Sequence, residues 1–180
     1  MIEKQIEAAR YLAVDGPGLL ALPRGLRIKN YDPAFALDSS RSLLGKGDAV
    51  FNAAKRAFER WAQFDLGWVR VANQEAVIAT GHIVAVEVRA LGLWTLNLSR
   101  VIEVIDTPSA FGFIYSTTKL HVEQGEERFL IEFDRATSDV WYELEAVSRP
   151  RQMLARLGFP VTRAFQHRFA RNSHRQMKVP

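Results

Sequence analysis

The sequence contains no cysteine among its 180 residues. Disulfide bonds, thiolate metal sites and a thiol nucleophile are therefore excluded, and nothing indicates an oxidising compartment. No apolar run approaches the ~18 residues of a membrane span. Glu3 and Glu7 interrupt the N-terminus where a signal peptide would have its apolar core. We expect a soluble protein that is located in the cytoplasm.

Several motifs of enzymes and cofactor sites are also missing. The G-x-S-x-G motif of serine hydrolases does not occur. The segment 45–48, Gly-Lys-Gly-Asp, precedes a predicted helix but lacks the spacing of a phosphate-binding loop. His167 and His174 could share one face of a helix, yet no third ligand is evident and arginines surround them. We therefore predict neither a metal nor another cofactor.

Acidic residues are absent from the C-terminal part of the chain. Residues 149–180 hold eight Lys and Arg, which leaves 16 basic against 20 acidic residues in residues 1–148. A basic helix lying on an acidic sheet would explain this asymmetry, because the two parts would attract each other. An anionic membrane surface or a nucleic acid is the alternative. Nucleic acid is disfavoured, since the predicted basic helix offers only Phe165 and Phe169 for base stacking.

Apolar and polar residues alternate with a period of two over much of the chain, which predicts an antiparallel meander of β-strands. The predicted strands are 35–44, 68–71, 76–80, 82–89, 94–105, 111–116, 126–134 and 140–148. Helices are predicted at 1–10, from an N-cap at Asp48 to about Phe64, and at 161–177. We expect one α+β domain over 1–180, with 1–33 as an irregular lead-in and 34–180 as the core.

The predicted C-terminal helix has a narrow apolar side, formed by Val161, Ala164, Phe165 and Phe169. One such helix cannot fill the concave side of a strongly curved sheet of six or seven strands, so we expect a cavity between them. The order of elements resembles the helix-grip fold of START-like and Bet v 1-like proteins. That resemblance implies a curved sheet that wraps the last helix and encloses a pocket for a small ligand. A β-barrel with flanking helices is the alternative fold.

Short motifs over about three quarters of the chain carry a more specific resemblance. They are Gly45-Lys46-Gly47, Phe51, Ala54, Trp61, Gly67-Trp68, Leu93-Trp94, Asn97, Arg100-Val101, Phe111-Gly112-Phe113, Tyr115, His121, Glu123, Gly125-Glu126-Glu127, Phe129, Ser148-Arg149-Pro150 and Gln166. In these positions the chain is similar to the family called domain of unknown function nineteen-ninety, or uncharacterised protein family 0548. Ser116 and Val147 depart from its pattern, which has glycine and an aromatic residue there. The resemblance implies a fold and no particular activity.

A polar cluster lies between two apolar runs in the segment 112–133. His121 and Glu123 share a face if this segment is extended, because side chains two residues apart point the same way. A carboxylate near the imidazole would raise the pKa of His121 toward neutral pH, as a general acid or base requires. Three interpretations stay open: a structural hairpin or hydrogen-bond network, a ligand-anchoring site, and a catalytic pair.

Arg100 falls in an apolar row when residues are counted by twos from Trp94. A buried guanidinium needs an anion, because an unpaired buried charge costs several kcal/mol. The anion could be a ligand carboxylate or phosphate, or an internal partner from among Glu126, Glu127 and Glu143. A β-bulge that turns Arg100 outward is the alternative. Arg149, which is followed by Pro150, is a second candidate for anion binding.

These observations predict binding of a small hydrophobic or amphipathic ligand, with an acidic or polar head, between the sheet and the C-terminal helix. The predicted ligand-binding residues are Arg100, Tyr115, His121, Glu123, Glu126 and Arg149. One alternative is an enzyme of cyclase or hydrolase type that uses His121 and Glu123 on the same scaffold. Another is a module that binds an anionic membrane surface through the basic C-terminal helix.

Overall fold

A computed structural model of the chain describes residues 1–29, 32–90, 92–151 and 159–178. Its centre is a seven-stranded antiparallel sheet in the order β1-β7-β6-β5-β4-β3-β2. The strands are β1 Ala36–Lys46, β2 Val69–Val71, β3 Ile83–Ala90, β4 Leu93–Thr107, β5 Ala110–Thr117, β6 Glu123–Phe133 and β7 Asp139–Pro150. Among the described strands, β1 and β2 each pair on one side only, so the sheet is open and the β-barrel alternative is wrong.

Seven of the eight predicted strands are present, and the prediction of a strand at 76–80 was wrong. These residues belong to the connection between β2 and β3. The carbonyl of Ala76 accepts a hydrogen bond from Nε1 of Trp61 at 2.9 Å instead of a strand partner. Ala76 and Ile78 still pack against the core, which explains their apolar character without a strand.

The helices are α1 Ile2–Arg10, α2 Arg24–Lys29, α3 Asp48–Glu59 and α4 Phe159–Met177. The predicted N-cap at Asp48 was wrong, because Gly47 occupies that position with a φ of 86° that suits glycine. The helix also ends at Glu59, and a 3₁₀ turn, Ala62–Phe64, follows it. The short helix α2 lies within the segment that was predicted to be irregular.

The concave face of the sheet carries the main hydrophobic core. Phe51, Ala54 and Phe58 of α3 repeat at helical spacing and pack against alternate residues of β5, β6 and β7. The ring of Phe58 makes edge-to-face contacts with Phe111, Phe113 and Tyr142. Each such pair contributes about 0.5–1.5 kcal/mol beyond its buried area. The helix α3 therefore fills one end of the concavity.

The helix α4 covers the other end of the concave face along a narrow line that includes Phe165 and Phe169 as predicted, whereas Ala164, predicted on the same side, is exposed, and the side chain of Val161 lies outside the described part. Phe165 and Phe169 contact the core, and Met177 is fully buried. Near the end of α4, His174 is bonded to Ser40 and Ser42 of β1 at 2.8 Å and 2.7 Å. The hydroxyls of Tyr142 and Ser173 lie 2.7 Å apart. These contacts attach the last turns of α4 to β1 and β7.

The convex face of the sheet is covered as well. Ala9 of α1 packs on Ile83, Ala85 and Leu98 of β3 and β4. Leu19 and Leu20, in the segment that joins α1 to α2, pack with Phe35, Ile114 and Val147. Buried side chains therefore occur on both faces, and burial alone does not show which residues face the concave side.

Candidate functional site

A cavity of about 390 Å³ lies between the concave face of the sheet and α4. One part of its wall is apolar and includes Phe64, Trp68, Val86, Leu144, Phe165 and Phe169. The other part is polar and includes Asn97, Tyr115, His121, Glu123, Glu127 and Gln166. The sheet supplies most of this wall, and α4 contributes Phe165, Gln166, His167, Phe169 and Ala170.

The strand β6 divides the segment His-x-Glu-x-Gly-Glu-Glu between the two faces of the sheet. Side chains along a strand alternate, so Glu123 and Glu127 point toward the cavity while Glu126 points to the convex face. Gly125 is needed at this point because a Cβ atom would lie 2.8 Å from Cα of Ser148 on β7. The motif therefore contains two inward carboxylates and one outward carboxylate.

Glu127 and Tyr115 form a hydrogen-bonded polar pair in the cavity wall. They lie directly opposite each other on β5 and β6, and the Tyr115 hydroxyl donates a hydrogen bond to Oε2 of Glu127. Burial raises the pKa of Glu127 to about 7, although the bond from Tyr115 acts in the opposite direction. Burial, together with the nearby carboxylate, also raises the pKa of Tyr115 well above its usual value. Glu127 can therefore exchange a proton near neutral pH, whereas Tyr115 remains protonated.

Glu123 is joined to α4 through Gln166. The Gln166 amide donates to Oε1 of Glu123 at 2.9 Å and to the hydroxyl of Ser148 at 3.1 Å. Burial raises the pKa of Glu123. The nearby Arg163 is held by Asp38 of β1, whose Oδ1 accepts from its Nη2 at 2.6 Å. This group of polar residues fixes α4 over the edge of the cavity.

His121 lines the cavity, but the predicted His121–Glu123 carboxylate contact is not formed. Nδ1 of His121 instead accepts a hydrogen bond from the backbone N–H of Glu123 at 3.0 Å. The expectation of a raised pKa was also wrong, because burial lowers the pKa of His121 to about 4. The imidazole is therefore neutral at physiological pH, and with Nδ1 as acceptor its Nε2 carries the proton.

Three predicted ligand-binding residues lie on the convex face, outside the cavity. Arg100 shares its row with Leu96 and Leu98 as predicted, but this row faces α1, and Arg100 donates to the carbonyls of Ala9 and Arg10 at 3.1 Å and 2.9 Å. These carbonyls at the C-terminal end of α1 replace the glutamates that were considered as partners.

Glu126 and Arg149 are the other two residues on the convex face. Glu126 accepts from the amides of Gly18 and Leu20 at 2.6 Å and 3.0 Å. Arg149 donates to Oε1 of Gln124 at 2.8 Å and stacks on Phe35. The predicted site therefore separates into two groups. Tyr115, His121 and Glu123 line the cavity, whereas Arg100, Glu126 and Arg149 lie on the convex face near the N-terminal segment.

Most residues of the cavity wall were not among the predicted ligand-binding residues, and those with polar groups include Trp68, Asn97, Glu127 and Gln166. The spacing of four residues from Glu123 along a strand could have indicated Glu127, since both must share a face. Asn97 Oδ1 and Trp68 Nε1 are buried and have no hydrogen-bond partner among the described residues. No sequence signal indicates these two unpartnered atoms, because they depend on the contacts of the folded chain.

Two further findings concern the described part of the chain. It contains no group of three His, Asp or Glu side chains that could hold a metal ion. None of its helices is long and apolar enough to cross a membrane. The cytoplasmic location stays a prediction.

A curved antiparallel sheet, a long C-terminal helix and a cavity between them define a helix-grip protein. The ARO/CYC di-domain protein StfQ from the steffimycin biosynthetic pathway is similar in structure, with a TM-score of 0.54 at 11% identity over 80% of this chain and 49% of that one. Major latex-like protein 151 of Panax ginseng has a TM-score of 0.50 at 8% identity, covering 81% of this chain and 99% of the ginseng chain. These likenesses confirm the predicted fold.

The chain belongs to the family described as domain of unknown function (DUF1990), whose pattern matches residues 24–176. A UPF0548 protein of Dictyostelium discoideum is 37% identical over 154 residues, which are 79% of this chain and 71% of that protein. The resemblance predicted from the short motifs is thereby confirmed.

Proposed function

We propose that the protein binds a small, largely apolar ligand in the cavity between the sheet and α4. The observation that carries this proposal is the cavity itself, whose wall joins the rings of Phe64, Phe165 and Phe169 to the polar side chains of Tyr115 and Glu127. Such a wall can hold the apolar part of a ligand against the rings and its polar part against the hydroxyl and carboxyl groups.

The volume and composition of the cavity support the same conclusion. Ligand pockets are mostly apolar concavities of roughly 300–1,000 Å³ with a few polar groups that fix orientation. The cavity of about 390 Å³ falls at the lower end of this range. Phe64, Phe165 and Phe169 would contact the apolar part of the ligand, and Tyr115 and Glu127 would contact its head.

An acidic head, one of the two options predicted from the sequence, finds no support in the cavity. Arg100 and Arg149, the residues that would have bound it, lie on the convex face. Arg163 is already bonded to Asp38. The head of the ligand is therefore better described as polar and rich in hydrogen-bond donors.

A matched pair of variants tests ligand binding by native mass spectrometry on freshly purified protein, followed by denaturing extraction. Ala170 on α4 lines the cavity, and Ala164 on the same helix is exposed. We expect a bound mass in the wild type and in Ala164→Phe, and none in Ala170→Phe, because the added ring fills the cavity.

The same three proteins are then titrated with the apolar dye Nile red, which reports on cavity access when no natural ligand is retained. Fluorescence should increase with the wild type and Ala164→Phe only. Equal responses from all three proteins, or no response and no bound mass with the wild type, would contradict the proposal.

Acid–base catalysis in the same cavity is a second candidate function, and Glu127 is the residue that favours it. Its pKa of about 7 lets it accept and return a proton near neutral pH, and Tyr115 holds it in place. This assignment would replace the predicted His121–Glu123 pair. Glu127→Gln should then retain a bound substrate identified by mass spectrometry and lose its turnover, whereas unchanged turnover would rule Glu127 out as the acid or base.

A further inference from the structure

The polar end of the cavity holds two carboxyl groups, those of Glu123 and Glu127, that form no ion pair among the described residues. Among the described residues, no Lys, Arg or His nitrogen lies within 4.0 Å of the carboxyl oxygens of Glu123 or Glu127. Their side-chain hydrogen bonds come from neutral groups, the Tyr115 hydroxyl and the Gln166 amide. Arg163 is the nearest cation to Glu123, and both of its outer nitrogens bond to Asp38. Buried carboxylates are normally paired, because isolated buried charges are strongly destabilising.

The donors that bond the two carboxyl groups are already engaged in the folded protein. The Tyr115 hydroxyl is used by Glu127, and the Gln166 amide by Glu123 and Ser148. Asn97 is only 7% exposed, and its Oδ1 atom has no partner among the described residues. A ligand head that donates several hydrogen bonds would satisfy these acceptors.

Aromatic rings lie beside the polar end, where Phe64 stacks on Tyr115 with ring centres 6.5 Å apart. Phe64 packs against Phe169 with ring centres 5.5 Å apart, and Trp68 packs against Phe165 at 5.8 Å. All of these rings line the cavity. The faces of aromatic rings attract cations within about 6 Å, and aromatic cages with nearby carboxylates are a common arrangement for ammonium groups.

We propose, on the basis of the proposed function, that the cavity selects ligands with a protonated amine as their head, held by Glu127 and Glu123 among aromatic rings. Ammonium groups donate up to three hydrogen bonds and accept none, which suits a wall that presents two carboxyl groups. A neutral alcohol of the same shape would satisfy fewer of them, and a carboxylate would be repelled by like charge.

The protonation of Glu127 then couples binding to pH. The charges of Glu123 on β6 and Asp38 on β1 raise the pKa of Glu127, the hydrogen bond from Tyr115 of β5 lowers it, and Glu127 in turn acts on Tyr142 of β7. Arg163 and His167 of α4 and His121 also lie at this end. Below a pKa of about 7 the protonated Glu127 no longer attracts a cation, so affinity for an amine falls as pH decreases.

Calorimetric titration with three indole probes of matched shape tests the proposal: tryptamine, tryptophol and indolepropionic acid. At pH 8 we expect tryptamine to bind at least about tenfold more tightly than tryptophol, because charge-assisted hydrogen bonds are stronger than neutral ones. Indolepropionic acid should bind most weakly. Tryptamine affinity should fall by up to about tenfold from pH 8 to pH 6, since ionisation of Glu127 changes by that factor while the amine stays charged.

Two variants of β6 assign the preference to Glu127. Glu127→Gln should lose both the amine preference and its pH dependence. Glu132→Gln, on the convex face of the same strand and bonded to Arg41, should keep both. Equal affinity for the amine and the alcohol, tighter binding of the acid, or absence of tryptamine binding would each overturn the amine assignment. The Nile red comparison decides the proposed function separately, so the two failures are distinguishable.

Discussion

Glu127→Gln should change the pH dependence of folding stability, because this substitution removes a buried carboxyl that prefers to be protonated. The pKa of Glu127 is raised from 4.5 to about 7, mainly by burial. The folded protein therefore binds this proton more tightly than the unfolded chain does. The resulting stabilisation is fully present below pH 4.5 and is lost as the pH rises through about 7.

The size of the effect follows from the same pKa. A tenfold difference in proton affinity corresponds to about 1.4 kcal/mol, so ionisation of Glu127 should remove about 2–3 kcal/mol between pH 5 and pH 8. The glutamine keeps an oxygen that can accept the Tyr115 hydrogen bond but cannot ionise. We therefore compare the free energy of unfolding of the variant with that of the wild type. This difference should shift by about 2–3 kcal/mol in favour of the variant between pH 5 and pH 8.

Urea denaturation of both proteins at pH 5, 6, 7 and 8, followed by tryptophan fluorescence, measures this difference. Burial also raises the pKa values of Glu123 and Glu126, which are present in both proteins; Glu126 cancels in the comparison, and Glu123 cancels apart from its charge interaction with Glu127. Glu132→Gln controls for the loss of one carboxylate from β6. If the stability curves of the wild type and Glu127→Gln run parallel from pH 5 to pH 8, the argument for a buried, proton-binding Glu127 is refuted.

Three further predictions concern residues that lie outside the cavity. Glu126→Ala should lower the free energy of unfolding by about 2–4 kcal/mol, as expected for the loss of two hydrogen bonds to a charged group. The loss of these bonds should appear as faster hydrogen exchange at the amides of Gly18 and Leu20. Arg100→Leu should lower the free energy of unfolding by about 2 kcal/mol and leave Nile red affinity unchanged, because Arg100 stabilises the end of α1. Weaker dye binding in a well-folded variant would show that Arg100 belongs to the ligand site. If the exposed side of α4 binds anionic surfaces, the double substitution Arg171→Glu and Arg175→Glu should reduce sedimentation with phosphatidylserine vesicles. These substitutions are a cleaner test than deletion of 171–180, because the deletion would also remove the buried residues Ser173 and Met177.

The sheet and the long C-terminal helix could be predicted because their patterns are local. The strands alternate with a period of two, and the apolar stripe of α4 is too narrow to fill a curved sheet, which indicated a cavity before any contact was known. The strand predicted at 76–80 failed for a local reason as well. Its apolar residues are buried by tertiary packing beside Trp61 without strand pairing.

The side of the sheet on which an individual side chain lies could not be predicted in the same way. A period of two shows which residues share a face, but it does not show which face is concave. Arg100 was correctly placed in an apolar row, and that row is buried by α1 instead of by the core. The covering of the convex face by α1 and the N-terminal segment is a long-range feature, because it joins residues about 100 positions apart, such as Gly16 and Ser116.

The adjacent residues Glu126 and Glu127 show why register decides the function of this strand. One fastens the N-terminal segment to the convex face, and the other supplies the buried carboxyl of the cavity. A slip of β6 by one residue would exchange their faces and place Phe129 and Ile131 on the convex side. Gly125 opposes such a slip, because its backbone lies against Val147 and Ser148 too closely for any residue with a Cβ atom. The single glycine therefore fixes both the anchor of the N-terminal segment and the charge of the cavity.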